Sequence, residues 1–151
     1  MTDTFKPAPN VWPVAECAEH IILAKEYIFG AAQQALKTGA AARLATSNAA
    51  DRKLGAMIQD RSQKATAPEP IVPSGRFATP ADAATEFTAR RDKTIAYVKT
   101  TQDVLRVLAM AGPTGPMDAY QFLLLLASHS ARHTAQIREV QGNAGYPRTA
   151  P

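Results

Sequence analysis

The feature that most constrains this chain is an unbroken stretch in its last quarter. From Ala119 to Gln141 there is neither proline nor glycine, and Phe122, Leu126, Ile137 and Val140 recur at helical spacing. That is the pattern of one long amphipathic helix. His129 and His133 fall on the same stripe, between Leu126 and Ile137. Residues four apart on a helix lie about 40° apart around its axis, with Cβ atoms about 5–6 Å apart. The two imidazoles can therefore converge on one point of the buried face. The one other histidine, His20, also sits on an apolar helical stripe. Any one of these rings alone reads as a core histidine satisfied by a neighbour. Three of them on core-facing stripes read as a divalent-metal site formed by His20, His129 and His133, because burying imidazoles unpaired is costly.

The remaining segments supply the other helices of an all-α fold. Met1 to Val11 is an extended lead-in. A first helix is expected from Trp12-Pro13, with proline at the first helical position, to about Lys37, where Thr38-Gly39 ends it. Its stripe is Val14, Cys17, Ile21, Ala24, Ile28 and Ala32, and His20 leans toward it. Ser47-Asn48 caps a second helix carrying Leu54, Met57, Ile58 and Arg61, weakened by Gly55. Residues 64–80 hold four prolines and no helical period, so they read as a crossover passing near one end of the bundle. Thr79-Pro80-Ala81-Asp82 is a helix start, and a third helix is expected to run to about Met110 on Phe87, Arg91, Thr94, Val98, Leu105 and Leu108. Ala111 to Pro116 then stops it, Asp118 opens the fourth helix, and Gly142 with Gly145 and Pro147 closes it. No strand alternation and no solenoid repeat is visible. Four helices with one long connection, between the second and third, make a four-helix bundle in a single domain over residues 1–151.

Charge and composition narrow the function classes. The 17 Lys and Arg against 13 Asp and Glu give a net charge of +4, spread along the chain without a cluster, so a nucleic-acid partner is not expected. No apolar run approaches the length that spans a bilayer, and no secretory h-region opens the chain. The single cysteine, Cys17, excludes an internal disulfide. These features make a cytoplasmic protein with no membrane partner the expectation.

Three imidazoles suit Zn, Ni, Fe or Co, so ligand type does not choose the metal. They also leave coordination positions free, and an open divalent cation can lower the pKa of bound water to about 7. Around the triad, Gln136 is placed to orient His133 from the same face. Arg91 is a candidate to hold an anionic substrate, and Trp12 and Tyr120 to line a pocket mouth. Glu16, four residues before His20, is the one acidic neighbour at ligand spacing. Cys17 reads as core. Glu16, Glu19 and Glu26 read as surface carboxylates, so no catalytic general base stands out.

The motifs also resemble a family. Trp12 followed eight residues later by His20, and His129-x-x-x-His133 followed by Gln136-Ile137, are similar to the first- and last-helix motifs of the DinB-like superfamily. The proline-rich segment from Lys64 to Phe77 is similar to its crossover. The resemblance implies an up-down-down-up four-helix bundle with a divalent metal held by three histidines, which map to His20, His129 and His133. Members of known chemistry include thiol-dependent transferases and isomerases, and many are dimers. A metal-dependent hydrolase or low-molecular-weight-thiol S-transferase acting on a small molecule, with the metal and, for the transferase, a low-molecular-weight thiol as cofactors, is thus the leading expectation, and a homodimer is one implied assembly. A non-enzymatic, metal-stabilised bundle serving as a binding or stress-response module is the alternative.

Overall fold

The computed structural model describes residues 4–41, 44 and 46–147; Met1 to Asp3 of the expected lead-in lie outside them. Four helices carry the architecture: α1 Val14–Thr38, α2 Asn48–Gln59, α3 Pro80–Thr100 and α4 Ala119–Gln141. They form a bundle in which α1 lies along α4, α2 packs on α4, and α3 packs on α1. The core between them is built from Leu23, Ile28, Phe29, Ala32, Phe122, Leu125 and Leu126, closed by Leu54, Ile71 and Met117. No helix among the described residues is long and apolar enough to cross a membrane.

The helix starts follow from their caps. The Ser47 hydroxyl accepts from the Ala50 N–H. Thr79 with Asp82, and Asp118 with Gln121, form reciprocal capping boxes that satisfy otherwise orphaned amides. Pro13 is the N-cap of α1 rather than its first residue, in extended geometry.

Beyond α2, two expectations about the elements are corrected. The third helix stops at Thr100, ten residues short of Met110, although Leu105 and Leu108 continue its apolar period. Local side chains capture the chain there. The Asp103 carboxylate accepts from both Tyr97 Oη (2.7 Å) and Thr101 Oγ1 (2.8 Å), while the Asp103 N–H donates back to Thr101 Oγ1. Such bonds offer the backbone an alternative to the helical ladder. None of α3 is fully buried, and Val98, expected on its stripe, is exposed.

The second correction is a small antiparallel sheet where no strand was expected. It consists of β1 Ala40–Ala41, β2 Leu108–Gly112 and β3 Gly115–Asp118, in that order. The segment read as a helix stop is a two-residue hairpin turn, Pro113-Thr114, between paired Gly112 and Gly115. Gly115 takes a φ of +108°, which glycine adopts without strain. At Gly112 a Cβ would lie 2.5 Å from the sulfur of the buried Met117.

The crossover is tied to the bundle rather than merely passing it. A single 3₁₀ turn, Glu69–Ile71, buries Ile71 in the core. Three residues on, the carboxylate of the buried Glu19 accepts the backbone N–H groups of Ser74, Gly75 and Arg76 at 2.8, 2.9 and 3.2 Å. Glu19, expected at the surface, is the clamp on this loop.

Candidate metal centre

His20 comes from α1, His129 and His133 from α4, and the packing of those two helices brings the rings into one triangle. Ring centroids stand 4.9 Å apart for His20 and His129, 4.4 Å for His20 and His133, and 4.5 Å for His129 and His133. One ring nitrogen from each lies within 4.8 Å of the other two. The Nε2 atoms of His20 and His129 are 3.1 Å apart. Two nitrogens bound at about 2.0–2.1 Å to one ion sit about 3 Å from each other, so this spacing suits a shared cation.

The outward nitrogens of two rings are already engaged. His20 Nδ1–H donates to the Ile71 carbonyl at 2.8 Å, and His133 Nδ1–H donates to Gln136 Oε1 at 2.8 Å. Each bond leaves Nε2 with its lone pair free and fixes the ring's orientation, which is how protein ligands to a metal are held. The crossover thus supplies the orienting carbonyl for His20, and the residue one turn along α4 does so for His133.

Burial favours the neutral, ligating form of all three. It is the largest cause lowering the pKa of His20. Burial and then the neighbouring imidazoles push His129 down to about 3 and His133 down to about 4. Metal ligation needs this unprotonated state. Three neutral imidazoles, two of them with the tautomer fixed, are a donor set positioned to hold a metal ion.

The triad lines a cavity of about 950 Å³ whose walls come from α1, α2, α4, the crossover and the β2–β3 hairpin. Trp12 leans over His20 at 4.8 Å between centroids and reaches His133 at 6.3 Å. Ile28, Met57, Phe122 and Leu125 make much of the wall apolar. Its polar rim carries Arg61 and Arg132. Arg61 pairs with both Glu139 oxygens at 2.7 and 2.6 Å, and its Nη1 donates to Gln136 Oε1 at 3.3 Å. Arg132 donates to the carbonyls of Ile58, Asp60 and Gln63, closing the C-terminal end of α2 onto α4.

The other sequence candidates are dispersed. Trp12 and Gln136 meet the triad. Glu16 forms an ion pair with Lys6 at 2.9 Å and stands outside the cluster. Arg91 is exposed, its guanidinium 6.0 Å from the Phe87 ring on α3, and does not line the cavity. It is not positioned to hold an anion there, because α3 packs on a different side chain set of α1. Tyr120 lies under Arg106 at 3.7 Å and faces a separate shallow groove between α2 and α4. Cys17 is wholly buried, its thiol donating to the Trp12 carbonyl at 3.7 Å and pushed up to about 12 by burial. Glu26 is exposed and pairs with Arg90 at 2.6 Å.

Sequence reasoning missed the roles of Glu19, Ile71, Arg61 and Arg132. Arg61 carried a signal, a cation on the apolar period of Leu54 and Ile58, though it lies beyond the end of α2 at Gln59. The partners of Glu19 are 55 to 57 residues away, and nothing local announces them.

Residues 4–137 match the family model of the DinB superfamily. No curated protein and no solved structure matches the chain.

Proposed function

The chain belongs to the DinB superfamily, whose model covers most of it, and from that premise we propose that it is a metal-dependent enzyme acting on a small molecule held in the cavity. His20, His129 and His133 would hold the cation. The observation that carries this reading is the convergence of three imidazoles, two with their outward nitrogens engaged, on the wall of a roomy cavity. A divalent ion held by three protein ligands supplies a Lewis-acid centre that lowers the pKa of a bound water or thiol. Hydrolysis, or transfer from a low-molecular-weight thiol to an electrophile, are the reactions such a centre serves.

The chain's own residues do the rest. The Ile71 carbonyl and Gln136 keep His20 and His133 in the ligating tautomer. Trp12, Ile28, Phe122 and Leu125 give an apolar surface that excludes water from the substrate body. The test is a screen of zinc-, nickel- or iron-loaded protein against thiols paired with electrophiles and against hydrolysable esters and amides, beside His133→Ala. Turnover abolished in the variant supports the reading; turnover unchanged removes the site from the mechanism. The alternative of a structural ion in a binding module predicts thermal stabilisation by the metal without turnover and a site closed to exchangeable water.

A further inference from the structure

We infer that Arg61 is a positioning residue for this centre: acting through Gln136, it fixes the tautomer and aim of His133. The inference rests on the metal-binding reading above. A glutamine amide has two faces of opposite character, an oxygen that accepts and an NH₂ that donates. With Oε1 toward His133, Nδ1–H donates and the Nε2 lone pair is free for a cation. With the NH₂ toward the ring, Nδ1 must accept, and the ring proton moves to Nε2, where it blocks ligation. Nothing in Gln136 itself chooses between the two.

Arg61 makes the choice. Its guanidinium has donors only, and Nη1–H donates at 3.3 Å to the same Oε1 that accepts from His133 Nδ1–H at 2.8 Å. Reversing the amide would set its NH₂ against a guanidinium that can only donate, whichever tautomer the ring took. Arg61 is anchored in turn by both oxygens of Glu139, one helical turn beyond Gln136 on α4. The relay therefore runs Glu139, Arg61, Gln136, His133, and it reaches the ligand from the segment just after α2.

Electrostatics alone predicts the opposite sign, which makes the proposal testable. A cation beside a cation site weakens it, so removing the charge should tighten metal binding. If Arg61 positions, Arg61→Met weakens binding of Zn²⁺ by about tenfold in competition with a chromogenic chelator. In metal-free protein, long-range ¹H–¹⁵N NMR should show His133 protonated at Nδ1 in the wild type and mixed between Nδ1 and Nε2 in Arg61→Met. Gln136→Glu presents an acceptor whichever oxygen faces the ring, so in that background Arg61→Met should change affinity by less than about twofold. Equal or tighter binding in Arg61→Met, an unshifted tautomer, or a full loss persisting in the Gln136→Glu background would each overturn the inference. Should Arg61→Met not fold, Glu139→Gln loosens the same anchor and is read by the tautomer alone, since losing an anion weakens cation binding in any case: a His133 mixed between Nδ1 and Nε2 supports the inference and an unshifted one overturns it. The NMR measurement needs no metal, so a protein that binds none at all would sink the metal reading while still deciding the role of Arg61.

Discussion

Burial of the imidazoles carries a consequence for pH. In the unfolded chain each histidine titrates near its ordinary value of about 6.5, whereas the folded protein holds His129 down to about 3 and His133 down to about 4. Between those limits the unfolded state binds more protons, so stability rises with pH across the window and falls as pH drops through it. The metal-free protein is expected to lose melting temperature steadily from pH 6.5 to pH 4, by calorimetry, and His129→Gln to flatten that slope. A slope unchanged in the variant would show that carboxylates elsewhere cause it. The thiol of Cys17, pushed up to about 12 and wholly buried, should resist iodoacetamide at pH 8 in the native protein. Cys17→Ala is likewise expected to leave Zn²⁺ affinity unchanged in chelator competition, since Cys17 is outside the cluster.

Among the elements, the crossover does most to shape the site. Adjacent residues of α1 hold it at two points, Glu19 on the amides of Ser74 to Arg76 and His20 on the Ile71 carbonyl. A carboxylate accepting three amides makes charge-assisted bonds, and Glu19→Gln should cost about 1–3 kcal/mol in denaturant unfolding. Amide exchange over residues 71–76 should quicken in that variant, and metal affinity should fall because His20 loses its aligned carbonyl. Exchange confined to its wild-type rate would refute the clamp. At the hairpin, Gly112→Val drives a side chain into Met117 and is expected to destabilise by about 1–3 kcal/mol. The helix starts and the α4 stripe were legible because caps and period are local signals. The end of α3 was not, since the apolar period continues past the point where Thr101 and Asp103 redirect the backbone.

At the scale of the whole molecule, the cation site joins two elements whose ligands His20 and His129 lie 109 residues apart. The packed core of Phe29, Phe122, Leu125 and Leu126 lies on the same α1–α4 contact and is built by burial of apolar side chains. Adding Zn²⁺ at a hundred times its dissociation constant should therefore stabilise by about 2.7 kcal/mol, while helical circular dichroism stays the same with and without chelator. Loss of the helical signal on chelation would instead make the metal part of folding itself. A second tie is the ion network of Arg106 with Asp51, at 2.5 Å, and with the fully buried Asp118, at 3.4 Å, which links the segment after α3 to α2 and α4.

By itself the sequence determined that the chain is helical, where most helices begin, and that three histidines belong to buried stripes, because helical period and capping act within a few residues. It also held a motif pair resembling that of the superfamily whose family model matches residues 4–137. The tertiary structure alone decided what surrounds those rings. It chose the Ile71 carbonyl for His20, turned Glu19 inward, brought Arg61 to Gln136, and left Arg91 and Tyr120 on other surfaces. Each of these is a pairing between residues remote in sequence, made by the way α1, α4 and the crossover pack, and no local periodicity encodes it.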